Sequence, residues 1–172
     1  MTLQRELWKF IPEFPNYQIS TFGNVYNYKQ DQMMRTSINN FGNPKITLTL
    51  DDGSRHTRSV AQMVAEAFVS PPEASCDQVV VLDGNFENMA SENLVWRPTH
   101  FAWKYTRQLR VLQPNHYRNL RVVNVTTGIG YNSIIEAAMN EGLLFIDIWR
   151  STFNHTGTYP EDSVFEVMGS NI

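Results

Sequence analysis

Between Arg97 and Arg121 the chain carries six cations, Arg97, Lys104, Arg107, Arg110, Arg118 and Arg121, and no acid. Clustered guanidinium and ammonium groups of this kind neutralise phosphates, and binding of that type weakens steeply with added salt. A solvated helix face, or a stripe that docks on the protein's own acidic segments, would use the same residues. The flanking sequence has the opposite sign. Residues 61–96 hold six acids and no Lys or Arg, and residues 122–172 hold six acids against Arg150 alone. The first sixty residues are mildly basic, with seven cations and five acids. Among them Lys29, Arg35 and Lys45 sit in strand-forming sequence and are candidate contacts to a phosphate backbone. Arg55 and Arg58 offer two further contacts or form an ordinary solvated edge. The net charge of −3 argues by itself against a nucleic-acid binder, whereas its distribution argues for one.

Other reactive chemistry is scarce. A single cysteine, Cys76, excludes an internal disulfide and a cysteine-based zinc site. With 172 residues, 42% of them apolar and 12% aromatic, the chain has enough material for one medium domain or two small modules and is not a disordered tail. No run approaches the roughly 18 apolar residues of a membrane span, so no membrane partner is expected. The first residues lack the apolar stretch of a secretory signal, which makes a cytoplasmic protein the expectation.

The elements that must position these residues are short. Pro12 and Pro15 exclude a helix at the start. Tyr17, Ile19, Val25 and Tyr26 around a turn at Thr21-Phe22-Gly23-Asn24 predict a β-hairpin, with Trp8, Phe10, Tyr17 and Phe22 as its packing residues. Met33-Met34 continues the strands. Ile46, Leu48 and Leu50 alternate with Lys45, Thr47 and Thr49, the period of a half-buried strand. Asp51-Asp52-Gly53 turns it back through Arg55 to Val60. Val60, Met63, Val64, Ala67 and Phe68 recur at helical spacing until Pro71-Pro72. A β-branched strand, Val79 to Val81, leads to the turn Asp83-Gly84-Asn85, and Ser91 to Trp96 forms a second compact segment.

These two regions carry a family pattern. Val64-Ala65, Phe68, Asp83-Gly84-Asn85, Asn88 and Asn93-Leu94-x-Trp96 fall in step with one another, and Trp8, Ile11, Tyr17, Ile19-Ser20, Gly23 and Val25 form a second set. In both the chain resembles the phage-type HNH homing endonucleases of the ββα-metal class. The resemblance implies an α+β fold. Its parts would be an N-terminal β-sheet module (1–58), a degenerate ββα-metal core (59–108), a basic linker (109–119) and a C-terminal helix-turn-helix-like module (120–172). It also implies a phage origin, a host-cell cytoplasmic location and DNA as partner, contacted through residues 29–58 and 97–121.

The same resemblance marks what is missing. The family's metal-binding residue, its general-base histidine and its last helix ligand align with Val80, Val81 and Ala102, and its leading histidine aligns with Ala61. None of these side chains can ligate a cation or accept a proton. Turn and packing positions persist while chemical positions are lost, the pattern of a fold retained without cleavage. No catalytic residue and no cofactor are therefore expected. Mg²⁺ or Mn²⁺ would be needed only if nuclease activity persists at a relocated site. The fallback residues for such a site are His56, His100 and Asp83, although His100 is two residues, roughly 200° around a helix, from position 102.

The remaining sequence supplies two modules. From about Thr99 an amphipathic helix sets Phe101, Tyr105 and Leu109 on one side and Lys104, Arg107 and Arg110 on the other, ending at Pro114. After a strand from Leu120 to Val125, Asn132 or Ser133 caps a helix that ends at Gly142. A second helix runs from about Phe145 to Phe153, and a strand from Val164 to Met168 closes the chain. In relatives the second helix reads the major groove. Here it offers Asp147, Arg150 and Asn154 within an acidic module, and Trp149 as a core residue or as an anchor for a protein partner. Three functions follow: a DNA-binding pseudoenzyme, an active nickase with a rearranged metal site, or an effector or subunit that binds a host or phage protein.

Overall fold

A computed structural model describes residues 5–40, 42–70, 74–110 and 119–169, excluding the side chain of Arg110. Pro71, Pro72, most of the 109–119 linker and Arg118 lie outside the described residues. The chain divides into two compact units, residues 1–81 with 85–98, and residues 82–84 with 99–172.

In the first unit, β1 (Trp8–Ile11), β2 (Phe14–Ser20), β3 (Val25–Asn27) and β4 (Gln32–Met33) form an antiparallel sheet in sequence order. Strand alternation sends Tyr17, Ile19 and Val25 into the core. The opposite face carries Phe10, Gln18, Tyr26 and Met33 in register across the four strands. Of the four aromatics expected to pack the sheet, Tyr17 alone is fully buried; Phe10 is 57% exposed and rests on Tyr28, 5.6 Å between ring centroids. Phe22 is also exposed, and half-buried Trp8 meets Tyr26 edge-on. Tyr17 and Ile19 fill the core side, the pleat turns Trp8 and Phe10 to the opposite face, and Phe22 lies in the turn between β2 and β3.

A second sheet joins β5 (Ser37–Ile38), β6 (Pro44–Thr49) and β7 (Arg55–Ser59). At Val60 the pattern changes from period two to period 3.6, and helix α1 (Val60–Phe68) begins. α1 buries Val60, Met63, Val64 and Ala65 against the sheets. A β8–β9 hairpin completes the unit, with β8 (Gln78–Val81) paired to β9 (Leu94–Arg97) behind a 3-10 turn at Ser91–Asn93. The two motif regions meet here: the Ser91 amide donates to the Thr21 carbonyl at 2.8 Å. The buried Ser20 hydroxyl accepts from the Phe22 and Asn24 amides and fixes the hairpin turn between them.

The second unit comprises helix α2 (Thr99–Arg110), a three-stranded sheet and two further helices. β10 (Val122–Asn124) is central, flanked by β11 (Gly130–Tyr131) and β12 (Phe165–Val167). Ser133 caps α3 (Ile134–Glu141), its hydroxyl accepting from the Glu136 amide. Gly142, at φ +63°, ends that helix. Residues 142–144 then turn into α4 (Phe145–Asn154), whose Ile148 lies in the core with Val122, Ile134 and Phe165.

Candidate nucleic-acid interface

Residues directly opposite in a β-ladder share a face. In the second sheet the register pairs Lys45 with both Ser37 and Ser59, Thr47 with Thr57, and Thr49 with Arg55. Between these pairs Ile46 and Leu48 point into the core, so the paired residues look outward. The outer face therefore presents two cations among hydroxyls, with the Thr47 and Thr57 hydroxyls 2.9 Å apart. No acid lies on these three strands. The acids come in the β6–β7 turn, where Asp52 accepts from Ser54 and Asp51 is taken up by Lys29 and Asn16 at 2.7 and 3.1 Å. Hydrogen bonding to Lys29 holds the Asp51 carboxyl below the usual aspartate range and raises the Lys29 ammonium.

Arg58 does not join Arg55. Three positions apart on one strand, they fall on opposite faces, and Arg58 shares the core-side parity of Ile46. Its guanidinium bonds to Glu13 and reaches Glu66 at 2.9 Å. Of the two cations, Arg55 faces outward and Arg58 is engaged in ion pairs within the chain. His56 is likewise on the Leu48 side, edge-on to the Phe14 ring. Arg35 is exposed between β4 and β5.

Helix α2 gathers the other candidates. Phe101 and Tyr105 are buried, while Trp103, Lys104 and Arg107 are exposed, as the 3.6-residue period dictates. The Arg107 guanidinium lies 5.4 Å from the Trp103 ring centroid, a cation–π contact one helical turn apart. Two side chains on the inner side lock the helix to its unit. The Tyr105 hydroxyl approaches the Leu82 and Ala138 carbonyls at 2.8 and 3.3 Å. Gln108 donates to the Leu143 carbonyl and accepts from the Phe145 amide, both at 3.0 Å. Leu144, the N-cap of α4, makes no side-chain cap bond, and Gln108 supplies an acceptor to the first amide of the helix. Arg97 departs from the expected basic stripe. It is 4% exposed at the end of β9, where its guanidinium donates to the Trp96 carbonyl at 3.0 Å. Arg121 is exposed beside β10.

The positions where the chemistry was sought are apolar. Val80 and Val81 are buried, 2% and 6% exposed, and pair with Val95 and Leu94. Ala102 is half-buried on α2. These three side chains have no donor atom and do not fit a divalent cation. Among the fallback residues, His100 stacks on Tyr159 at 5.7 Å, and Asp83 is half-buried in the turn whose Gly84 packs on Leu109. Among the described residues no three His, Cys, Asp or Glu side chains converge as a metal site would require. In α4, Arg150 faces Asp147 at 3.8 Å, and Trp149 meets Phe153 at 5.2 Å. Burial raises the Asp147 carboxyl, opposed by Arg150 and Lys104.

Sequence reasoning did not single out Trp103 or Gln108. Trp103 was legible as an aromatic placed outside the Phe101–Tyr105 stripe; Gln108 had no local signal, since its partners are 35 and 37 residues away.

Comparison with known proteins agrees with this architecture. Residues 6–54 match the NUMOD4 motif. The H-N-H endonuclease F-TflII of Escherichia phage T5 is 29% identical over 94 residues, 54% of this chain. That match spans about half, 48%, of the relative's length. The solved structure of the HNH homing endonuclease I-HmuI, reported for its DNA binding and cleavage, matches with a TM-score of 0.55. It covers 94% of this chain and 97% of that one at 24% identity, a likeness of fold. In motif, sequence and fold alike, this chain is similar to the HNH homing endonucleases.

Proposed function

We propose that this chain is a DNA-binding member of the HNH homing endonuclease family that has lost cleavage. The observation that carries the reading is the burial of Val80 and Val81 on β8, where the family pattern calls for a metal-binding residue and a general base. A strand filled by valines contributes to a core and cannot activate water. Binding is supported by the outward Lys45 and Arg55 on an acid-free sheet face, and by Lys104 and Arg107 on α2. The DNA binding reported for the structural relative is carried over on that basis. The test is a supercoiled-plasmid nicking assay with Mg²⁺ and with Mn²⁺, run beside a duplex-binding titration over a salt series. Salt-sensitive binding without nicks is the expected result. Robust nicking would overturn the loss of cleavage, and its disappearance in His100→Ala or Asp83→Ala would establish a rearranged site.

A second reading is favoured by one feature of the C-terminal unit. α4 pairs its cation with Asp147 and bears the Trp149–Phe153 aromatic pair within an acidic module. Such a helix is suited to a protein partner, of host or phage origin. Pull-down with the whole chain tests it; salt-insensitive capture of a stoichiometric protein, with no duplex binding, would replace the DNA reading.

A further inference from the structure

We propose that Trp103 is a base-stacking wedge: on duplex DNA its indole enters an opened base step while Lys104 and Arg107 hold the flanking phosphates. The inference rests on the DNA-binding reading above and adds to it the residue that distorts the duplex.

Trp103 is 63% exposed even with Arg107 against its ring. Indoles are ordinarily well covered, because leaving so large an apolar surface in water forfeits its burial. α2 does not need this one for its core, since Phe101 and Tyr105 already fill that side at 1% and 0% exposure. The helix that carries the ring is fixed in its unit: Tyr105 and Gln108 bond it to Leu82, Ala138, Leu143 and Phe145, and Arg107 lies against the ring. A wedge has to be rigid, because the free energy of unstacking a base step must not be lost in reorienting the side chain.

The electrostatic setting suits a phosphate backbone. Residues 97–121 contain no acid. The Asp147 carboxyl is influenced by Lys104 and also faces Arg150 at 3.8 Å. An aromatic ring beside two cations on the same exposed helix surface combines the two contacts that nucleic acids offer, the π-face of a base and the charge next to it. A protein-docking aromatic would more naturally be rimmed by neutral residues.

A wedge gains most where a base step is already weak, because less stacking has to be broken. The experiment compares binding of the full chain to a fully paired duplex and to the same duplex with one central C·C mismatch, over a salt series. The wild-type protein is expected to prefer the mismatched duplex by about tenfold, the scale of one aromatic–base stack. Trp103→Phe keeps the preference. Trp103→Ala loses it while retaining the same dependence of binding on salt, since both cations remain. Equal wild-type affinity for the two duplexes, or a preference that survives in Trp103→Ala, overturns the wedge and leaves DNA binding intact. If the alanine variant fails to bind either duplex, rescue by phenylalanine supports the proposal and lack of rescue overturns it. Absence of salt-dependent duplex binding by the wild-type chain sinks both readings together, and capture of a protein through Trp103 in that case reassigns the residue.

Discussion

Gly23 has no side chain where Met89 needs the space: a Cβ at residue 23 would stand 2.7 Å from the Met89 Cβ and 3.0 Å from Val60 Cγ1. The backbone there has φ +83°, a region that residues with a Cβ rarely adopt. Gly23 thus joins the first motif region to the second by absence of mass. Gly23→Ala should destabilise the first unit by roughly 2–4 kcal/mol, combining left-handed strain with overpacking. Gly53→Ala shares the positive φ but meets nothing within 4 Å, so it should cost about 1–2 kcal/mol. Urea unfolding of the two variants separates the steric cost from the conformational one.

Arg55 and Arg58 should part company when mutated. Arg55→Ala is expected to weaken duplex binding and to lower the slope of log K against log salt by about one, the signature of one lost phosphate contact. Arg58→Ala should leave that slope unchanged and reduce stability instead, because Glu13 and Glu66 lose their common partner. Parallel salt titrations and melting curves give the answer, and a salt-slope effect in Arg58→Ala would contradict the facial assignment.

Removing the Gln108 amide should loosen the start of α4. Gln108→Leu leaves the Phe145 N–H and the Leu143 carbonyl without the partners described above, at a cost of about 1–3 kcal/mol. Gln108→Glu keeps the acceptor for Phe145 and should lose less. Amide exchange at Phe145 is the direct readout: faster in the leucine variant, near wild type in the glutamate one.

Asp147 gives the second unit a pH dependence of defined sign. Burial raises its folded-state pKa above the ordinary aspartate value, so the folded chain binds this proton more tightly than the unfolded chain. Its contribution to stability is therefore most favourable below the unfolded value and declines as pH rises through the raised one. Asp147→Asn should stabilise the protein at neutral pH, with the advantage fading as the solution is acidified toward and below that window. Thermal melts of both proteins across the range measure it, and an advantage that grows on acidification would refute the sign.

What the sequence disclosed was local. Helix α1 was legible in Val60, Met63 and Val64 with Pro71 beyond, and α3 in the Ser133 and Gly142 signals, because caps and periodicity act over one or two turns. The apolar character of residues 80, 81 and 102 was equally visible, since residue identity alone decides it. The opposing faces of Arg55 and Arg58 follow from strand parity alone, since residues three apart on one strand point to opposite sides. The inward turn of Arg97 and the outward aromatics Phe10 and Phe22 depended on which residues fill the core first, a competition among segments far apart in sequence. Tyr105 illustrates the limit: its burial followed from spacing, but its carbonyl partners at 82 and 138 belong to the tertiary structure.

The hydroxyl of Tyr105 has an evolutionary consequence. Because it bonds to Leu82, and because Leu109 packs on Gly84, the three residues 82–84 belong with a unit whose other members begin at Thr99. The two units are interleaved in the gene. A single recombination crossover cannot deliver the second unit whole: a breakpoint at residue 98 strands its Leu82–Gly84 segment with the donor. Shuffling of this C-terminal half among related genes would favour recipients that already carry an equivalent turn.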